Sequence, residues 1–220
     1  MFLRKIKDIR IIGDEIHAIR KTKITTKELE LQISDLQYSG QKLELEENVE
    51  QAQLPPFVQV FYYYFFAFLK IPSEVEFWNI YNSWINPKKK ETIVIKNKKL
   101  KTLNIKSRLL RTYPSLIRDL HFLYLLNESR KFDSIEYSMH RDYFDGIDLR
   151  VRYKNVDSYI SLYINTERGD FYKKRKTKRH DYSVINEIEF KVNFDELKKC
   201  GSIYLLKEFH VHTLINLIDE

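Results

Sequence analysis

Residues 145–165 read DGIDLRVRYKNVDSYISLYIN, two runs of alternating apolar and polar residues joined by a turn. This stretch limits the fold more than any other, because a two-residue period fits a β-strand with one buried face. In GIDLRVRY, Ile147, Leu149, Val151 and Tyr153 point one way, and Asp148, Arg150 and Arg152 point the other. In SYISLYIN, Ile160, Leu162 and Ile164 share a face, leaving Ser161, Tyr163 and Asn165 on the opposite one. If the two polar faces coincide, an isolated carboxylate, Asp148, looks across at Ser161 and Tyr163.

The flanking sequence continues in orderly elements. SRLLRTYPSLIRDLHFLYLLNES is one long helix or two short ones, with Pro114 a start or a kink, and Leu116, Leu120, Leu123 and Tyr124 share a face. FDSIEYS is a strand ahead of the hairpin. The basic run FYKKRKTKRHDY is a helix after it, EIEFKVNF and SIYLLK are further strands, and FHVHTLINLI is a closing amphipathic helix. The order helix, three strands, helix, strand, strand, helix predicts an α/β or α+β fold, a central mixed sheet flanked by helices.

Residues 1–106 read as a separate β-rich plus helical region of undisclosed role, and residues 107–220 as the sheet domain. IKDIRIIGDEIHAI suggests two strands turning at Gly13-Asp14, and KELELQISDLQYSGQKLELEE another pair turning near Ser39-Gly40. FVQVFYYYFFAFL, 13 residues, is too short for the roughly 20 that cross a bilayer and reads as a buried helix. In IPSEVEFWNIYNSWINP, Ser73 and Glu76 form a capping box, Val75, Trp78, Tyr81 and either Trp84 or Ile85 make a stripe, and Pro87 ends the helix. KKKETIVIKNKKLKTLNIK is a basic hairpin turning near Asn97.

The order of elements, with GID entering the second strand, resembles the PD-(D/E)XK restriction-endonuclease-like superfamily over about residues 107–195. That resemblance implies a restriction-endonuclease-like core and a nuclease that hydrolyses phosphodiester bonds in restriction, phage defence or mobile-element processing. In such nucleases the second-strand aspartate and a third-strand acid hold Mg²⁺ or Mn²⁺, and a lysine two residues on stabilises developing charge. Carried over, the metal ligand falls on Asp148, but Ser161 and Tyr163 stand where the acid and the lysine belong. Asp119 and Glu128 on the first helix are candidate replacement acids, with Asp142, Asp145, Glu167 and Asp170 nearer the strand ends. Lys173, Lys174 and Lys176 are candidate displaced cations, of which Lys174 and Lys176 are the expected charge stabilisers. The plainer reading makes Asp148 a strand residue paired with Arg150 or Arg152, and Asp119 and His121 helix-surface groups. A catalytically inactive scaffold that binds nucleic acid or a protein is the alternative.

The net charge of +7 permits a polyanionic partner, and its distribution favours one. From Lys173 to Arg179 every residue but Thr177 is basic, so Arg168, Lys173, Lys174, Arg175, Lys176, Lys178 and Arg179 are the expected nucleic-acid contacts, with DNA favoured over RNA. Such contacts position a phosphate backbone without reading its sequence. Cys200 is the single cysteine, which excludes an internal disulfide and a Cys-rich zinc site and suits a cytoplasmic setting. No membrane partner is expected. The aromatic N-terminal segment offers a surface for self-association or a protein partner.

Overall fold

The computed structural model describes residues 17–18, 24–39, 45–138, 141–167, 169–170, 173 and 185–220. In chain order, β1 (His17–Ala18) precedes α1 (Thr26–Ser34), α2 (Glu47–Glu50), α3 (Phe57–Phe68) and α4 (Glu74–Ile85). The hairpin of β2 (Thr92–Ile95) and β3 (Lys98–Lys101) leads into α5 (Thr102–Ser129). Then come β4 (Ser134–Tyr137), β5 (Leu149–Tyr153), β6 (Val156–Asn165), β7 (Glu187–Asn193), the hairpin β8 (Lys198–Cys200) with β9 (Ile203–Leu205), and α6 (Phe209–Asp219). The fold is mixed α/β. Its main sheet has the order β1-β4-β5-β6-β7, antiparallel throughout except for the parallel pair β6–β7.

The alternating stretch folds as its pattern predicts. Leu149 faces Ile160 and Tyr153 faces Val156 across a turn in which Lys154 and Asn155 have φ of 50° and 64°. Two consecutive left-handed residues match the right-handed twist of the flanking strands. The sheet's buried face, including Ile135, Leu149, Val151, Ile160 and Phe190, packs in one core with the α5 residues Leu120, Leu123 and Tyr124. Phe122 of α5 stacks on Phe190 at 5.6 Å between centroids.

Helix α5 is a single helix of 28 residues that runs through Pro114. It touches α1, α2, α3, α4, β3, β4, β9 and α6, so it forms the axis around which both halves assemble. The boundary drawn between residues 106 and 107 falls inside this helix. One continuous core joins Phe61 and Phe77 on one side of that boundary to Leu149 and Phe190 on the other.

The N-terminal half departs from its β-rich reading. Over residues 27–34 the chain is part of α1, not the first strand of a hairpin. Leu29, Leu31 and Ile33 suggest a period of two, yet Leu29 and Ile33 are fully buried while Leu31 is 61% exposed. Four-residue spacing is a helical face. The deciding local signal is a capping box: the Glu28 N–H donates to Thr25 Oγ1 at 3.2 Å, and the Thr25 N–H donates to Glu28 Oε2 at 2.7 Å. The strand pair expected at Gly13-Asp14 lies outside the described residues apart from β1.

The aromatic segment is helical, as expected, but it turns inward. Phe61, Tyr62, Tyr63 and Phe65 are buried, Phe61 meets Phe77 edge-on at 5.7 Å, and Phe68 is its most exposed ring. A partner surface through this segment finds no support in that burial. Ser73 and Glu76 cap α4 as predicted, but its buried positions are Phe77 and Tyr81, and Val75 is 66% exposed. Phe77 and Tyr81, four residues apart, point at the ring cluster of Phe61, Phe57 and Tyr113. Among the described residues no helix is long and apolar enough to cross a membrane.

Candidate active site

Asp148 stands one residue ahead of β5. Its N–H donates to the Ile160 carbonyl at 2.9 Å, and its Oδ2 accepts the Leu162 N–H at 2.6 Å. The ladder register, continued by one pair from Leu149–Ile160, sets Asp148 opposite Ser161. The chain reaches this position through a single π-helical turn (Arg141–Asp145) and Gly146, whose φ of 72° suits a residue without Cβ. Arg150 is ion-paired with Glu136, and Arg152 grips Asp157 at 2.9 and 3.0 Å, so neither arginine has Asp148 as its main partner.

A second carboxylate enters from the next strand. Parallel pairing of β6 with β7 sets Glu187 beside Tyr159 and Glu189 beside Ser161. The period of two then puts Glu187, Glu189, Ser161 and Tyr163 on one face. Ser161 Oγ donates to Glu187 Oε1 at 2.5 Å, and the Lys173 ammonium donates to the same oxygen at 2.6 Å. Lys173 also lies 3.1 Å from Glu189, whose other oxygen accepts the Tyr163 hydroxyl at 3.2 Å. Burial, helped by Glu189, pushes the Tyr163 hydroxyl up to about 12. The Lys173 and Glu187 side chains are 8% and 11% exposed, so this is a nearly buried ion pair, and Glu189, at 51%, is its outer member.

Where β5 begins and β6 ends, the surface opens into a cleft of about 640 Å³. Asp119 of α5, Asp142 of the π-helical turn, Asp148, Ser161, Tyr163 and Lys173 all line it. The three aspartates also share an electrostatic neighbourhood. Burial, followed by the charges of Asp119, Asp142 and Asp148, pushes the Tyr62 hydroxyl well above its ordinary range. Tyr62 stacks at 4.0 Å on Tyr137, whose hydroxyl donates to Asp142 Oδ2 at 3.0 Å. The arginines of the cleft are bound into the scaffold: Arg111 is ion-paired with Glu50, and Arg118 donates to the Tyr204 carbonyl at 3.0 Å.

The other candidates lie elsewhere. Glu128 is nine residues beyond Asp119, about 13 Å further along the helix, and its Oε1 accepts the Thr26 N–H at 2.7 Å. It serves the start of α1. His121 is fully buried rather than on a helix surface, and its Nε2 meets Glu30 at 2.9 Å. Asp145 is paired with Arg141 at 3.8 Å and Asp170 with Lys191 at 2.9 Å. Arg168, Lys174, Arg175, Lys176, Lys178 and Arg179 lie outside the described residues. Glu187 was not among the sequence candidates, although the pair of acids two apart in EIEF, on a strand next to β6, was its signal.

The oxygens around Asp148 are carboxylate and hydroxyl groups, the hard donors that Mg²⁺ and Mn²⁺ take. Among the described residues no three His, Cys, Asp or Glu side chains form a cage for a metal ion. This set fits an ion held by one or two carboxylates that keeps its waters and is completed by a substrate phosphate, the usual habit of Mg²⁺. Compared with protein-family models, curated proteins and solved structures, the chain matches none.

Proposed function

We propose that the chain is a divergent metal-dependent nuclease that binds nucleic acid and hydrolyses phosphodiester bonds. The observation that carries this reading is Lys173, held by Glu187 beside Ser161 in the cleft that contains Asp148. An acid and an ammonium thus occupy the neighbourhood that Ser161 and Tyr163 leave without either. They arrive from the next strand and from the connection to it. The meander β4-β5-β6 followed by a parallel β7 also agrees with the order of elements in a PD-(D/E)XK-like core.

In this reading Asp148, with at most one of Asp142 and Asp119 from the same cleft, would hold the divalent ion. When bound, that ion polarises the phosphate and lowers the pKa of a water. Lys173 stabilises charge developing on the phosphate oxygens. Glu187 fixes the direction of that ammonium, and Ser161 fixes Glu187. An entering phosphate competes with Glu189, the exposed member of the pair, for the Lys173 charge. DNA is the favoured polymer, in a restriction, phage-defence or mobile-element role, and these rest on the resemblance alone.

The test is incubation with single- and double-stranded DNA and RNA in Mn²⁺, beside Asp148→Ala and Lys173→Ala variants. Cleavage should vanish with Asp148→Ala and fall by roughly 10²-fold or more with Lys173→Ala, the scale of losing one positioned charge stabiliser. Cleavage untouched by Asp148→Ala sinks the proposal. One observation favours a second reading, an inactive scaffold: the Lys173 ammonium already has two glutamates and is nearly buried. Nucleic-acid binding with no cleavage under any metal, and unchanged by Asp148→Ala, supports that reading instead.

A further inference from the structure

One concentration of positive charge lies away from the cleft. Residues 88–101, the β2–β3 hairpin and the loop before it, hold seven lysines and one acid, Glu91. That is an excess of six positive charges, equal to that of the run from Lys173 to Arg179. All seven lysine side chains are exposed, and among the described residues none is ion-paired with a carboxylate. The sheet cations behave differently: Arg150, Arg152, Lys154 and Lys191 each have an acid. Solvated lysine faces are ordinarily interspersed with acids, because like charges repel and destabilise the compact state.

The backbone that carries the lysines is pinned by hydrogen bonds. Asn86, 3% exposed, clamps the loop: its Nδ2 donates to the Lys90 carbonyl at 2.7 Å and its Oδ1 accepts the Lys90 N–H at 2.9 Å. This holds Lys89 at φ 50°, a left-handed conformation that a side chain adopts only under local constraint. Thr102 Oγ1 donates to the carbonyls of Lys90 and Glu91, which staples the hairpin to the start of α5. Lys96 and Asn97, with φ of 45° and 66°, form the tight turn at its tip.

Behind the hairpin lies a cleft of about 650 Å³, lined by Trp78, Asn82, Lys89, Lys90, Lys101 and Lys106 among others. Helix α5 begins here with no side-chain cap, so the positive end of its dipole adds to the lysine field. Trp84, on the same helix as Trp78, is 39% exposed. Asn82, which also lines the cleft, has an Oδ1 that is shielded from solvent and lacks a hydrogen-bond partner among the described residues. We infer that this hairpin and cleft form a second nucleic-acid docking site, in which lysines take the phosphates of a strand and the tryptophan-lined cleft takes a base. Cationic grooves with an aromatic platform bind single strands in this way. A bilayer fits the shape poorly, since the cleft is concave and the exposed apolar side chains around it, Trp84, Val94 and Leu103, are few beside the lysines.

The site is separate from the candidate active site. Lys106 and Asp119 are thirteen residues apart on α5, about 20 Å along its axis, and they lie on different sides of the helix. The inference shares its polymer with the nuclease reading but does not depend on catalysis. Trp78, one of the chain's two tryptophans, lines the cleft, so part of the intrinsic fluorescence reports on this site.

The test uses the full chain carrying Asp148→Asn, in EDTA, titrated with a short oligothymidylate at several salt concentrations while tryptophan emission is followed. Emission should be quenched, with affinity falling as salt rises. A Lys96→Ala/Lys98→Ala/Lys99→Ala variant should lower the log–log salt slope by about 2, at roughly 0.7 per phosphate contact on a single strand. Its melting temperature should not move. An unchanged slope in the folded triple variant overturns the inference. So does a lysine-dependent emission change with phosphatidylserine–phosphatidylcholine vesicles but none with the oligonucleotide. Loss of cleavage elsewhere leaves this result untouched, because no cleavage is read.

Discussion

Lys173→Met tests the buried ion pair most directly. The substitution keeps the length of the side chain and removes its ammonium, leaving Glu187, 11% exposed, with the Ser161 hydroxyl as its side-chain partner among the described residues. Removing one partner of a buried pair costs about 3–5 kcal/mol. Because Ser161 still donates and a little solvent reaches Glu187, the low end applies here, about 3 kcal/mol. In a chain of this length that lowers the melting temperature by roughly 6–12 °C. Glu187→Gln should cost less, about 1–2 kcal/mol, because Lys173 keeps Glu189 at 3.1 Å. In the double variant neither charge is stranded, so the combined loss should fall short of the sum by about 1–2 kcal/mol. Glu189→Gln, at the exposed end, should cost under about 0.5 kcal/mol. Urea unfolding followed by circular dichroism, extrapolated linearly to water, measures all four. A Lys173→Met loss below about 1 kcal/mol, or strict additivity in the double variant, would refute the reading of this pair as buried and coupled.

Three further outcomes are expected. Glu76 is held at about 2 against a reference of 4.5: burial opposes its charge, but hydrogen bonds from the Ser73 N–H, the Tyr64 hydroxyl and the Ser73 hydroxyl, with Lys70 nearby, outweigh it. Its folded value lies below its unfolded one, so its stabilisation is full above pH 4.5 and is lost as pH falls towards 2. The urea midpoint should therefore drop more steeply across that window in the parent chain than in Glu76→Gln. Gly169→Ala should destabilise by about 1–3 kcal/mol, because its Cβ meets the Ile164 carbonyl oxygen and a backbone atom cannot move aside; thermal melting reads this, and an unchanged melt contradicts it. Thr25→Ala removes the reciprocal cap of α1 and should cost about 1 kcal/mol in the same assay.

The sequence was legible where one physical rule acts alone. The β5–β6 hairpin follows from side-chain alternation, the β2–β3 turn from Lys96-Asn97, and the start of α4 from Ser73 and Glu76. It was misleading where two periods overlap. Leu29, Leu31 and Ile33 fit a strand as well as a helix, and the choice rests on the Thr25–Glu28 box and on α5, which receives Leu29 and Ile33. The aspartate of the candidate site was readable because it lies on the hairpin itself. Glu187 was not, since its meaning depends on which strand pairs with β6, and a parallel pair is made by a distant segment through a crossover. Read alone, EIEF is the solvated edge of any strand. Only Lys173 crossing above it makes the glutamate a buried anion.

The parallel pairing of β6 with β7 also has a consequence for synthesis. A nascent chain that has emerged only as far as Asn165 holds the whole antiparallel meander, Asp148 and Ser161, and can fold them locally. It holds neither Lys173 nor the anion that positions it. The cleft therefore acquires its full electrostatic character late, when the returning strand docks, and premature termination upstream of Glu187 yields a sheet without the ion pair that completes it.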